Sequence, residues 1–442
     1  MKNIKIAKLW DSLQSSYLFV PAVIVASLIA FAFIVLTLDQ KGYYGPLEKW
    51  GWVYTGGTDG ARAVLAAIAG SMITVAGTVF SITIVALQLA ASNFGPRLLR
   101  NFMQDIGNQV VMGTFIGTFM YCLLILRTVR GSGDDYDSFI PQLSVTTALA
   151  LTIASIALLI YFIHHASTII QASYVISEVN ADLDSAIDRL FPKKIGKNVS
   201  EAGRQVVEIP ANFDEDAYPV QMTNSGYLQG IDDEKLMQTA TEHDLLLRLE
   251  FRPGKFVVQG ANLVMVYPGK RVNQKLTKEL RNAFIMGKER TEQQDIEFPI
   301  EQLVEIALRA LSPGINDPFT AIRCIDRLSA GLSRLAQRDF PSPYRYDDEN
   351  NLRVIIAQPL TFAGLTDAAF NQIRQYSTSA VGVTIRLLEA IATIARNTQN
   401  EKDLAALRRH AEMVQRNACE EVSEELDKQD IKKQYQAALK AL

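Results

Sequence analysis

The sequence predicts an α-helical membrane protein with four transmembrane helices, a cytoplasmic α+β region of short strands, and a C-terminal helical region. Three observations support this fold class. Long apolar stretches occur only before about residue 170, although the 442-residue chain is 48% hydrophobic overall. After about residue 204, short apolar runs alternate with turn residues, as in small sheets. From about residue 299 onward, apolar residues recur at helical spacing.

The four apolar stretches are each long enough to cross a bilayer, which takes about 20 mostly apolar residues. They are residues 17–38, a part of 63–94, 110–126 and 140–163. The first is longer than a signal-peptide core and lacks a small-residue cleavage pattern, so we expect it to be retained. Small residues at contact spacing, such as Gly70 with Thr74 and Gly113 with Gly117, predict closely packed helices.

We expect a multi-pass membrane protein with both termini in the cytoplasm. An even number of spans places both termini on one side. Lysines and arginines are nearly balanced between the two sides, so the positive-inside rule does not decide the orientation. The long hydrophilic tail and the three widely spaced cysteines favour a reducing compartment for that side.

The predicted organisation has five segments. These are a cytoplasmic N-terminus (1–16), a transmembrane domain (17–168), a helical stalk (169–203), an α+β domain (204–298) and a helical domain (299–442). The helix of the fourth span is predicted to continue without a break to Pro192. In the stalk, Ile169, Ile176 and Leu183 recur every seven residues, which fits packing on its own domain or self-association.

The α+β domain contains strand patterns in VVEIP, LLLRLEF, KFVVQ and NLVMVYP, separated by the turn signals RPGK and QGAN. The run from SGYLQGI to NLVMV resembles the barrel-sandwich pattern of small biotinyl or lipoyl-like domains. In that pattern a Pro-Gly turn precedes one strand and a later glycine precedes another. No lysine lies where such domains carry their cofactor, so only the shape is expected here.

The helical domain contains the turn SPGIND between two amphipathic helices. Pro313 and Gly314 suit a tight turn, Asp317 suits a helix N-cap, and Pro318 suits the first helical position. Local geometry alone explains the segment. The alternative is that Asn316 and Asp317 form a ligand site in the tail.

A polar seam follows the second span through 34 consecutive uncharged residues, 63–96. Hydroxyls can bond to the preceding turn of their own helix, but the carboxamide of Gln88 needs partners on other helices or in water. The seam therefore fits close helix packing or an aqueous path in an oligomer, with Val85 as an apolar constriction. The pore-lining candidates, called the polar seam below, are Ser71, Thr74, Thr78, Ser81, Val85, Gln88 and Ser92.

Charged residues flank this seam at both ends. Asp59 and Arg62 precede it, and Arg97 and Arg100 follow it. They are candidates for the mouths of a pore, or else they anchor the helix ends at the membrane interface. The stretch GGTDG is predicted to form a turn in which Thr58 or Asp59 caps the helix.

Several function classes are disfavoured by the sequence. The formal net charge of -3 and the lack of a basic stripe argue against binding of nucleic acid. No nucleophile motif, phosphate-binding loop or dinucleotide fingerprint is present, so we expect no enzyme. The four histidines and three cysteines show no ligand spacing, so no metal and no cofactor are expected.

Three segments together resemble a known family. They are GGTDGARAVLAAIAGSMITVAGTVFSITIVALQLAASNFGPRLLRNF, GNQVVMGTFIGTFMYCLLILRTVR and ALRALSPGINDPFTAIRCIDRL. They are similar to domain of unknown function 2254 (DUF2254), a family of bacterial membrane proteins. The resemblance implies an integral inner-membrane protein with a cytoplasmic tail, and it implies no activity or catalytic residue.

Two functions fit the sequence. The first is an oligomeric, channel-like transport protein in which the polar seam lines an ion path and the tail assembles or regulates it. Its partners would be the lipid bilayer, other copies of the chain, and an inorganic ion or small solute. The alternative is a membrane-tethered sensor or scaffold whose tail binds a partner or ligand without transport.

Overall fold

A computed structural model describes residues 18–42, 53–95, 105–131, 138–191 and 209–442 of the chain. The described chain forms two compact units, an N-terminal unit of Met1–Tyr174 and a C-terminal unit of Val175–Leu442.

The N-terminal unit contains four long helices. They are α1 (Phe19–Gln40), α2 (Thr58–Phe94), α3 (Ile106–Leu126) and α4 (Gln142–Ile169). All four are long and apolar enough to cross a membrane, which confirms the prediction of four such helices. Helix α3 is the most enclosed of them and contacts the other three.

Small residues bring α1 and α3 together. A Cβ atom on Gly113 would lie 2.9 Å from the Cα atom of Pro21, and one on Gly117 would collide with the side chain of Leu28. The prediction of close packing at these glycines is therefore confirmed. Gly70 of α2 differs, because no described atom lies within 4 Å of a Cβ at that position. The expected packing around Gly70 is absent within the described chain.

The predicted continuous helix after the fourth span is wrong at one point. Helix α4 ends at Ile169, and helix α5 (Ala172–Leu190) begins after a turn. The hydroxyls of Ser167 and Thr168 donate to the carbonyl of His164 at 2.9 and 3.0 Å. Such side-chain bonds compete with the backbone ladder, which favours the end of a helix.

The C-terminal unit combines helices with two small sheets. The helices are α5, α6 (Phe213–Asp216), α7 (Asp233–Glu242), α8 (Gln274–Arg281), α9 (Glu297–Ala310), α10 (Pro318–Ala336), α11 (Phe362–Tyr376), α12 (Val381–Ala395), α13 (Glu401–Glu421) and α14 (Glu425–Leu439). The strands are β1 (Tyr218–Gln221), β2 (Gly226–Ile231), β3 (Leu246–Leu249), β4 (Phe256–Val257), β5 (Asn262–Tyr267), β6 (Phe284–Gly287), β7 (Tyr344–Tyr346) and β8 (Leu352–Ile356).

The five-stranded sheet has the order β1-β5-β3-β8-β7, and the three-stranded sheet has the order β4-β2-β6. Strands β3 and β8 are parallel, and the other pairs are antiparallel. The patterns LLLRLEF, KFVVQ and NLVMVYP are confirmed as β3, β4 and β5, whereas most of VVEIP (206–210) lies outside the described residues. These open sheets differ from a self-contained barrel-sandwich, because β3 pairs with a strand about 100 residues further along the chain.

Helix α5 packs on its own unit. Its apolar residues Leu183 and Ile187 are fully buried, and both lie close to Gly331 of α10. Arg334 of α10 forms ion pairs with two aspartates of α5, one of them Asp188 at 2.8 Å. Of the two alternatives for the stalk, the structure therefore shows the packed helix.

Candidate functional site

The polar seam lies on an uncovered face of α2. All seven of its residues are exposed in the described chain. The apolar residues that α2 buries, among them Leu65, Met72 and Val79, recur every three or four positions on the opposite side of the helix. The helices of this unit therefore leave the seam open.

Four of the five hydroxyls of the seam bond to their own helix. Each of the four donates to the carbonyl oxygen four residues earlier, at distances from 2.7 to 3.1 Å. The donors are Ser71, Thr74, Thr78 and Ser81. Each hydroxyl oxygen keeps acceptor capacity for water or for another chain. This accounts for how hydroxyls are tolerated on α2, but not for why they share one face.

Gln88 is the exception in the seam. Its carboxamide is exposed and forms no hydrogen bond to any residue in the described part of the chain. An amide without partners in an apolar medium costs several kcal/mol. Wherever α2 is surrounded by lipid, Gln88 must therefore be satisfied by water, by a neighbouring molecule or by a part of the chain outside the described residues. Val85, one turn earlier, is 56% exposed and offers a purely apolar surface.

The start of α2 differs from the prediction. Gly57 is the N-cap, and neither Thr58 nor Asp59 caps the helix. Both residues instead lie inside the first turn. The exposed carboxylate of Asp59 remains close to the positive end of the helix dipole, where a negative charge is favourable.

Of the arginines proposed for the mouths of a pore, the structure describes only Arg62, at the start of α2. Nη2 of Arg62 donates to the carbonyl of Val129 at 3.0 Å, so this half-buried side chain is held against the segment that follows α3. Arg97 and Arg100 lie outside the described residues.

The tail candidates lie at the turn before α10. Asp317 is the N-cap of this helix, and its carboxylate accepts hydrogen bonds from the amide of Thr320 at 3.1 Å and from its hydroxyl at 2.6 Å. These hydrogen bonds hold the pKa of Asp317 below its ordinary value. Asn316 is exposed with a φ of 50°, a left-handed conformation that asparagine tolerates. Capping thus accounts for Asp317.

Two carboxylates that the sequence analysis missed hold the N-terminal unit together. Asp39, 3% exposed, accepts hydrogen bonds from the amides of Leu143 and Ser144, both at 2.9 Å, at the start of α4. In the sequence, the feature that could have indicated this role of Asp39 is its position as one acidic residue at the end of an uncharged span. Asp105 caps α3 and lies 2.9 Å from Nε2 of His165. Sixty residues separate that pair, so spacing does not reveal it.

Metal ligands do not cluster within the described ranges. No group of three or more histidine, cysteine, aspartate or glutamate residues there could hold an ion.

Four membrane-length helices followed by a unit of helices and small sheets define a predicted membrane protein. The chain belongs to the DUF2254 family, described as predicted membrane proteins, whose family model matches residues 14–393. This confirms the resemblance found in the sequence.

Related proteins occur in mycobacteria. Uncharacterized proteins of Mycobacterium bovis and of Mycobacterium tuberculosis strain H37Rv are each 37% identical over 378 residues. The match covers 84% of this chain and 71% of each relative. No solved structure matches the chain significantly.

Proposed function

We propose that several copies of this protein assemble in the bacterial inner membrane and conduct an inorganic ion or a small solute. In this proposal the polar seams of α2 from neighbouring copies face a shared aqueous path. The C-terminal unit and both termini lie in the cytoplasm, where the unit assembles or regulates the path. The protein has no catalytic chemistry of its own.

The observation that carries this proposal is the uncovered and unpaired carboxamide of Gln88 on the face of α2 opposite its buried stripe. Facing lipid, this group would pay the full cost of desolvation. Facing an axis shared with other copies, it meets water or the same residue of a neighbour. The open space beside Gly70 and Gly77 supports the proposal, because it leaves room for close approach of a second helix.

The length and charge of α2 support the same arrangement. Its 37 residues span about 55 Å, more than the roughly 30 Å of hydrocarbon, so the helix can line a path and still extend beyond the lipid. No charged residue follows Arg62 on this helix. Polar but uncharged walls suit a path in which the apolar Val85 acts as a gate by excluding water.

Currents across planar bilayers test this proposal. The purified wild-type protein should produce discrete currents, and Gln88→Leu should reduce them roughly tenfold, because it replaces the strongest polar group of the path with an apolar one. Thr83→Val is the matched control. Thr83 lies on the buried face of the same helix and bonds to Val79 at 2.9 Å, so its loss should leave the current unchanged.

Two results would contradict conduction through the seam. One is the absence of current from a wild-type protein that is folded and oligomeric in the bilayer. The other is an equal response to Gln88→Leu and Thr83→Val, which would place the effect in folding and not in the path.

The alternative of a sensor or scaffold is favoured by a different feature. A cleft of about 360 Å³ opens on the five-stranded sheet, within the range of small-molecule sites. Its polar lining includes Arg248, Glu250 and Asn262. If this function is the correct one, leucine substitutions in the seam should leave binding to the C-terminal unit unchanged, and no seam-dependent current should occur.

A further inference from the structure

Helices α11 and α13 contact each other at two levels that are related by a shift of seven residues. At the first level, Asp367 of α11 lies 2.8 Å from Nε2 of His410 of α13. At the second level, Arg374 of α11 faces Asn417 of α13. Both contacts advance by seven residues along each chain segment, so the two helices run in the same direction.

The first level is balanced in charge. The carboxylate of Asp367 forms an ion pair with Arg409 and a hydrogen bond with the fully buried His410. Burial lowers the pKa of His410, and Asp367 opposes this change only in part. The ring of Phe370 packs edge-on against the imidazole ring of His410.

The second level has the same arrangement of charged residues, except that one of the charges has the opposite sign. Arg374 stands seven residues after Asp367, and Arg416 stands seven residues after Arg409. A positive charge therefore occupies the place that the carboxylate has at the first level. Among the described residues, neither arginine has a carboxylate within ion-pair distance.

One donor at the second level is buried without a partner. With the oxygen of the Asn417 carboxamide turned toward Arg374, Nη1 of Arg374 donates to it at 2.6 Å. Nε of the same guanidinium is buried and has no acceptor in the described chain. Burial lowers the pKa of Arg374, and the neighbouring charge of Arg416 lowers it further. An anion beside the two guanidinium groups would offset the repulsion between their charges.

Two other enclosed arginines of the C-terminal unit have carboxylates within ion-pair distance. Arg290 is 12% exposed and forms ion pairs with Asp295 and Glu301. Arg353 is 10% exposed and pairs with two aspartates. Each has two carboxylates, whereas the pair at the second level has none among the described residues. The missing component at Arg374 is therefore an acceptor with negative charge.

We propose that Arg374 and Arg416 bind a phosphate group where α11 and α13 contact each other. The two guanidinium groups supply the forked donors and the double positive charge that a phosphate dianion matches. Arg416 is exposed and Arg374 half-buried, so both side chains are accessible from solvent. The phosphate belongs either to a soluble phosphorylated compound or to a lipid headgroup. This site stands independently of conduction.

Calorimetric titration of the full chain in neutral detergent, with inorganic pyrophosphate at constant ionic strength, tests the soluble source. Binding should be saturable with one site per chain. Arg374→Gln and Arg416→Gln should each weaken it about tenfold or more, the loss expected for one charge-assisted contact. Arg327→Gln is the matched control, because Arg327 is an exposed arginine on α10 and should not matter.

The variant Arg374→Asp separates binding from folding. It recreates the charge arrangement of the first level, with an aspartate beside Arg416. It should abolish binding and at the same time raise the thermal midpoint of the ligand-free protein. A variant that only failed to fold would lower that midpoint.

A second arm uses proteoliposomes of phosphatidylcholine with and without phosphatidic acid. If the ligand is a headgroup, phosphatidic acid should raise the thermal midpoint of the wild type but not of Arg374→Gln, and pyrophosphate should have little effect. If the ligand is soluble, pyrophosphate should raise the thermal midpoint of the wild type but not of Arg374→Gln, and phosphatidic acid should have little effect. A response to neither compound, or a response that survives Arg374→Gln, would overturn the proposal.

Discussion

Replacing Glu297 with alanine should lower the free energy of unfolding of the C-terminal unit by about 3–5 kcal/mol, the range for breaking a buried ion pair on one side. The Glu297 side chain is only 10% exposed. Its carboxylate lies 2.5 Å from Nη2 of Arg252 and 2.9 Å from Nζ of Lys255. Without it, Arg252, which is only 16% exposed, remains enclosed with no counter-charge at that place, and the more exposed Lys255 loses its partner.

The pH dependence gives this prediction a second readout. Burial raises the pKa of Glu297, but the hydrogen bonds from Arg252 and Lys255 bring it below the ordinary value. A carboxyl group whose pKa is lowered by folding stabilises the protein above its unfolded pKa, near 4.5. This contribution is lost as the pH falls below that value. The alanine variant should lack this part of the acid-induced loss of stability.

Glu425→Ala is the control for Glu297→Ala. Glu425 is 65% exposed and stands 3.9 Å from Lys428, so its replacement should cost about 0.5 kcal/mol or less. Denaturant unfolding followed by circular dichroism measures both variants. Similar losses for the two glutamates would show that the enclosed cluster does not stabilise this unit in the way described.

Asp39→Ala should destabilise the N-terminal unit by about 2–4 kcal/mol, since it leaves one part-buried amide, one buried amide and a hydroxyl at the start of α4 without an acceptor. The N-cap residue of α4 is Pro141, which makes no side-chain hydrogen bond to the helix. Asp39 of α1 therefore performs the capping from a different helix. Its loss should separate the end of α1 from the start of α4.

Unfolding in a denaturing detergent measures this change. Ser144→Ala is the matched control, because it removes only the hydroxyl that donates to Asp39. The hydrogen bonds from both backbone amides to Asp39 remain. It should cost about 1 kcal/mol. If Asp39→Ala were no more harmful than Ser144→Ala, the capping role of Asp39 would be refuted.

Most features determined by local sequence were predicted correctly, although the cap at the start of α2 was not. The apolar stretches became α1 to α4, since length and hydropathy alone decide whether a helix can span lipid. Strands β3 to β5 followed from apolar runs bounded by glycine and proline. The cap at Asp317 and the proline after it were also found, because their chemistry acts within one turn.

Features that depend on distant residues were not predicted. Strand β8 pairs with β3 across more than 100 residues, and nothing in either segment identifies its partner. The same applies to Glu297, whose cations lie over 40 residues earlier. The break after Ile169 coincides with side-chain hydrogen bonds to the backbone that apolar periodicity does not reveal. The exposure of the α2 seam was not predictable either, because it depends on where the three other helices pack.

The exposure of the seam rules out one of the explanations for its polar residues. Packing within one chain is excluded for the described helices, because they leave all seven seam residues open. Contact with lipid, with water, with other copies or with parts of the chain outside the described residues remains, and the proposed assembly around an axis combines contact with copies and with water. Gly113 and Gly117 show how close contact inside this unit is built, and the glycines of α2 have no such neighbours.

Thiol accessibility along α2 tests the central claim most directly. In a variant lacking Cys122, Cys324 and Cys419, single cysteines at Thr78 and Ser81 are compared with cysteines at the exposed apolar positions Ile73 and Phe80. A charged, membrane-impermeant thiosulfonate reacts only with a thiolate in water. In native membranes we expect rapid modification at 78 and 81 and none at 73 and 80. Unreactive seam positions, or equal reaction at all four, would contradict an aqueous path along α2.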